Sequence, residues 1–113
     1  VMLLTPFAAD AKDKTVQNFV KTYKEKYEDT PNQFAADAYD GVKILAKLIE
    51  SQKITGDMSA SDICEKLKAG ITAADFSYDG LTGTGMKWNA NGEVSKSPKA
   101  VVIKDGNYAA LDN

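Results

Sequence analysis

Residues 34–51, FAADAYDGVKILAKLIES, restrict the fold more than any other stretch of this chain. Ala38, Val42, Leu45 and Ile49 recur at three- and four-residue spacing, and Ile44 and Leu48 widen the stripe. Lys43, Lys47 and Glu50 face away. A helix apolar over more than half its girth should be buried between other elements, and its sequence neighbours offer little cover. Thr15–Tyr27 reads as an ordinary amphipathic helix, with Val16, Phe19, Val20, Tyr23 and Tyr27 on one face. A third helix, capped at Ser59 and stopped at Gly70, turns Ile63 and Leu67 inward. A single strand, Val1–Thr5, precedes all three. Three helices behind one strand predict either the remainder of a parent chain or a second copy as cover.

The punctuation supports these elements. Val1–Thr5 is apolar on both faces, a pattern expected inside a covered sheet, and Pro6 ends it. Asp10 and Asp13 are candidate N-caps for the first helix, and Thr30-Pro31-Asn32 breaks it. Ser59 with Asp62 forms a capping-box-like start, and Met58 and Ile63 stand where a hydrophobic staple would be. Met86-Lys87-Trp88 reads as a short strand closed by a turn at Asn89–Gly92. Asp105-Gly106 predicts a hairpin between Ala100–Lys104 and Asn107–Leu111. The order is strand, three helices, strands.

The ionisable residues exclude several chemistries. All 14 basic residues are lysines and there is no histidine, which removes imidazole acid–base catalysis, His-ligated metals and bidentate Arg clamps. Against 16 acids the net charge is −2, no footprint for nucleic acid or an anionic membrane. The one cysteine, Cys64, makes neither an intrachain disulfide nor a thiolate zinc site, and its place among apolar helix positions predicts a buried, inert thiol. No catalytic residue, cofactor or metal is expected, and the longest apolar run, Val1–Leu4, is far too short to span a bilayer.

Gly80–Gly85 fails as a phosphate loop. Trp88 stands where the motif needs glycine, and no helix follows to focus amide dipoles on an anion. Asn89–Glu93 alternates oxygen ligands like a calcium loop but lacks the acid at the twelfth position, so it reads as a turn. Asp37 and Asp40, three apart near a helix start, read as complements to the helix dipole. Tyr39 sits on the flank of the apolar stripe, where an aromatic is ordinarily packing.

The run from Pro31 through Gln33-Phe34-Ala35-Ala36-Asp37-Ala38-Tyr39-Asp40-Gly41-Val42 to Leu45-Ala46 and Ile49-Glu50 resembles the late helix of the type I periplasmic substrate-binding proteins of the leucine/isoleucine/valine-binding family. Thr5-Pro6-Phe7 with Phe19-Val20 and Tyr23–Tyr27 resembles the preceding strand and helix. Leu81–Gly85 with Asn91-Gly92-Glu93, and then Val101–Tyr108, resemble the family's Gly-x-Thr-Gly stretch and closing hairpin, in order.

The resemblance implies an α/β chain that is the C-terminal portion of a type I periplasmic-binding-protein fold: a hinge strand, three helices and closing strands, incomplete without the N-terminal part. It implies a division at residues 1–90, the hinge strand and three-helix part of the first lobe, and 91–113, the return crossing and hairpin of the second. By the same resemblance the function is capture of a small amino acid, of branched-chain type, by hinge closure and delivery to the membrane permease of an ABC importer. Its location would be extracytoplasmic, with a signal or lipoprotein anchor upstream. The resemblance moves Tyr39 to the cleft border and makes Asp37 a partner for a ligand ammonium, with Phe7 and Ala8 lining the rim. The remaining partners would be the rest of the parent chain or, for the isolated piece, another copy of itself. The alternative is a ligand-sensing regulatory or receptor domain of the same fold, and a standalone interaction module is a third reading.

Overall fold

The computed structural model describes residues 1–111; Asp112 and Asn113, which the expected segment 91–113 includes, lie outside the described residues. The elements run β1 (Met2–Thr5), α1 (Lys14–Tyr27), α2 (Gln33–Ser51), α3 (Ala60–Ile71), β2 (Lys99–Lys104) and β3 (Asn107–Ala110). This is the expected order. Local chemistry sets the boundaries. The Asp13 carboxylate accepts from the Thr15 amide at 3.1 Å, Asn32 Oδ1 from Ala35, and the Ser59 hydroxyl from Asp62, so each helix begins on a side-chain cap. α3 runs one residue past Gly70. Gly70 is not its stop signal but a point of close approach, since a Cβ there would sit 2.9 Å from Gln52 Cγ.

The three strands form one antiparallel sheet in the order β1-β2-β3. Met2 pairs with Val102 and Thr5 with Lys99; on the other side Val101 pairs with Ala110 and Lys104 with Asn107. Asp105 and Gly106 both take positive φ, at 50° and 77°, as the tight hairpin between β2 and β3 requires. β1 is an edge strand and is not covered as its composition predicts: Met2 and Leu4 are 61% and 71% exposed. Met86–Trp88 does not form a strand either. It makes two isolated bridges, Tyr78 with Met86 and Trp88 with Val94, because the turns at Gly85 and Asn89 allow no longer run.

The core lies among the helices, where Phe7, Val16, Val20, Ala36 and Leu81 are packed together with Phe19 against them. α2 contacts α3. The buried face of α2 differs from the expected one: Ala36, Asp40, Ile44 and Leu48 are inside, while Phe34, Val42, Leu45 and Ile49 are exposed. Both faces are apolar enough to be buried, and α3 with the segment around Leu81 covers the one carrying Asp40. The helices are joined to the sheet through side chains as well as backbone: the Asp10 carboxylate accepts from the Ala110 amide at 3.0 Å, and the Thr5 hydroxyl donates to Gln33 Oε1 at 2.8 Å. Among the described residues no helix is long and apolar enough to cross a membrane.

Candidate functional site at the start of the second helix

α2 presents three polar or aromatic side chains within one turn, and each does something different. Asp40 points inward and is 3% exposed. Its Oδ1 accepts from the Leu81 amide at 2.9 Å; its Oδ2 accepts from the Thr82 amide at 2.9 Å and the Thr82 hydroxyl at 2.7 Å. Thr82 is itself fully buried. The glycine-rich loop therefore does hold an anion on its backbone amides, contrary to the sequence reading, and the anion is the protein's own carboxylate. Gly80 makes this approach feasible: a Cβ there would lie 2.6 Å from Asp40 Oδ2. Nor is Asp40 a complement to the helix dipole. α2 begins at Gln33 with no acid in its first turn, and dipole effects fade beyond that turn.

Asp37 lies on the edge of the buried face and pairs with Lys96 at 3.4 Å. The lysine was not among the residues singled out from sequence. It comes from the extended segment before β2, 59 positions away, and only the fold could bring it to α2.

Tyr39 is 43% exposed at the other edge. Its ring rests on Phe19 at 5.0 Å between centroids, with the Lys43 ammonium 5.4 Å from its own centroid. Phe19 in turn contacts Phe7 edge-on at 6.1 Å and Tyr23 at 5.8 Å. Phe7 and Ala8 are buried, at 4% and 3% exposure, because the chain turns inward after Pro6 to fill the space beneath α1. The four residues singled out from sequence thus divide: Phe7 and Tyr39 share one aromatic neighbour, Ala8 lies beside Phe7 in the chain, and Asp37 faces a different segment.

Two further readings, those of Cys64 and of Asn89–Glu93, are settled by geometry. Cys64 is exposed on α3 rather than buried, because α3 turns Ile63 and Leu67 toward the protein and leaves position 64 outside. Asn89–Glu93 is a turn, with Asn89 Oδ1 accepting from the Asn91 and Glu93 amides at 3.0 Å. Among the described residues no cluster of His, Cys, Asp or Glu could hold a metal ion. A shallow recess of about 250 Å³, lined by Asp13, Leu81, Thr84, Ser95, Ser97 and Lys99, lies where the helices meet the segment leading to β2. Burial, followed by the negative charge of Asp40 and then by Tyr39, pushes the Tyr78 hydroxyl to ionise above its ordinary range.

The arrangement offers ordered apolar and hydrogen-bonding surface around the start of α2. A family model described as periplasmic binding protein matches residues 1–107. Among solved structures, the chain is similar to a leucine-binding protein from Thermotoga maritima, with 24% identity and a TM-score of 0.70 over 97% of this chain and 29% of the other. It is similar to a branched-chain amino acid transporter substrate-binding protein from Streptococcus pneumoniae in complex with isoleucine, at 22% identity and TM-score 0.73, covering 96% and 29%. A solute-binding protein of an ABC transporter from R. palustris in complex with benzoate gives 20% identity and TM-score 0.76, covering 98% and 29%. This chain spans about three-tenths of the length of those structures. A comparison with curated proteins found no match.

Proposed function

The chain belongs to the periplasmic binding protein family, and from that premise we propose that it is the C-terminal portion of an extracytoplasmic solute-binding protein serving an ABC importer. In this reading the protein captures a small amino acid of branched-chain type as two lobes close about their hinge, then presents it to the membrane permease. No covalent step is involved. The observation that carries the reading is the family match along residues 1–107, together with the leucine- and isoleucine-binding proteins among the structures it resembles.

Residues 1–90 contribute the hinge strand and the helical part of the first lobe, and 91–113 the return crossing and hairpin of the second. Tyr39 is the cleft aromatic of this chain. Its packing on Phe19 fixes the ring before a solute arrives, so little side-chain entropy is lost on binding. Phe7 acts from beneath, by supporting Phe19, and Ala8 follows it in the buried turn after Pro6. Asp37 meets a ligand ammonium only in competition with Lys96, which places it second to Tyr39. The exposed stripe of α2 and the uncovered β1 are the surfaces that the remainder of the parent protein covers; in an isolated piece a second copy takes that place.

Isothermal titration calorimetry of the complete protein with leucine, isoleucine and valine, and with benzoate as a non-amino-acid control, tests the proposal. Saturable heat with at least one amino acid is expected. Heat with benzoate alone, or with none of the four, would overturn the assignment of substrate class.

A further inference from the structure

Two acids of α2, Asp37 and Asp40, hold two points of the connection that leads from α3 to the sheet. Asp40 holds the first, through the Leu81 and Thr82 amides, in a buried and fully bonded arrangement. Asp37 holds the second through Lys96, with the two side chains 40% and 27% accessible. The place of Lys96 in the chain is the telling feature. Just before it, the Ser95 amide makes a bond to Lys87 O at 2.8 Å, tying that residue to the helical side. Just after it, Lys99 opens β2 by pairing with Thr5 in the sheet. Residues 96–98 therefore bridge the helices and the sheet, and the Lys96 ammonium reaches back across that bridge to α2.

We propose that the Asp37–Lys96 pair is a breakable latch on this crossing, which sets the resting angle of the sheet against the helices and thereby the ease of closure on solute. The proposal rests on the two-lobe reading given above. A partly solvated ion pair holds weakly and is screened by salt, the property a latch needs if closure is to remain reversible. The buried Asp40 bonds form the fixed anchor beside it.

The test uses the complete protein without ligand, with one fluorophore on the exposed Cys64 of α3 and another on a Lys104→Cys substitution at the hairpin. In single-molecule energy transfer, Asp37→Asn and Lys96→Gln are each expected to shift the distance distribution, wild type to move the same way as salt is raised, and the swapped pair Asp37→Lys/Lys96→Asp to restore it. In calorimetry the single variants are expected to change the Kd for leucine by about two- to fivefold, the range of an exposed ion pair. Distributions identical in wild type and both single variants would overturn the latch, as would a swap that behaves like the singles. Absence of amino-acid binding by the wild type counts against the proposed substrate instead, and leaves the distance measurement to decide the latch.

Discussion

Replacing Gly80 by alanine is the sharpest probe of how the glycine-rich loop is held. The new Cβ would lie 2.6 Å from Asp40 Oδ2 and 2.7 Å from Cγ, closer than the 3.0 Å below which real Cβ contacts essentially do not occur. The carboxylate cannot retreat freely, because three donors at 2.7–2.9 Å hold it. Overpacking of this kind costs about 1–3 kcal/mol. Asp40→Ala strands two amides and a hydroxyl in a buried site, and leaving such donors without an acceptor costs on the order of 3 kcal/mol. The informative measurement is the double variant. With Asp40 gone, the Cβ at position 80 enters the space the carboxylate vacated, so Gly80→Ala should cost almost nothing further. A coupling of about 1–2 kcal/mol is expected from urea denaturation of the four proteins. Equal cost for Gly80→Ala in both backgrounds would refute the idea that the glycine exists to admit the carboxylate.

If Tyr39 borders the cleft as proposed, Tyr39→Ala should weaken amino-acid binding by the complete protein by roughly 1–3 kcal/mol in calorimetry, while unchanged affinity would confine Tyr39 to packing on Phe19. Val42→Asp, on the exposed stripe of α2, should destabilise the complete protein by about 2 kcal/mol or more if that stripe is covered there; a melting temperature equal to wild type would show it is solvated. Cys64 should react with a water-soluble thiol reagent without prior unfolding, and protection comparable to a buried thiol would contradict its exposure. Because the folded protein raises the Tyr78 ionisation above the ordinary phenol range, the unfolded chain loses that proton first. Stability drawn from Tyr78 is thus present below pH 10 and lost as pH rises through its folded value. Tyr78→Phe should flatten that alkaline decline in thermal melts, and an unchanged slope would remove Tyr78 as its source.

The elements of the fold were legible because each rests on short-range chemistry. Asp13 and Ser59 cap the helices they precede, and Asp105-Gly106 turns the hairpin. What could not be read was which side of α2 faces inward. Its apolar residues cover both sides, and the choice is made by Leu81 and Thr82, some forty residues later in the chain. Near a helix start an acid such as Asp40 looks like a dipole partner, because its true partners lie some forty residues away. One signal was available, since Asp40 interrupts the ladder Ala36, Ile44, Leu48 at four-residue spacing, where a buried carboxylate demands donors from elsewhere. The apolar neighbours of Cys64 suggest burial, although position 64 lies between the inward residues rather than on their stripe. Lys96 carries no local signal at all, since its partner Asp37 lies 59 positions away.

The antiparallel sheet has a mechanical consequence. Val1 lies against Ile103 and Leu111 against Ala100, so the two ends of the described chain leave at opposite ends of the sheet, one along each edge of β2. Tension applied between those ends acts along the strands rather than across them. It would load the hydrogen bonds of each strand pair together, a shear joint rather than a zipper. The helices, attached through the other end of β1 and through Lys99, bear no load until β1 has slid free. A pulling experiment on this chain should therefore show the sheet resisting as one unit, with the helical layer intact until the strands slip.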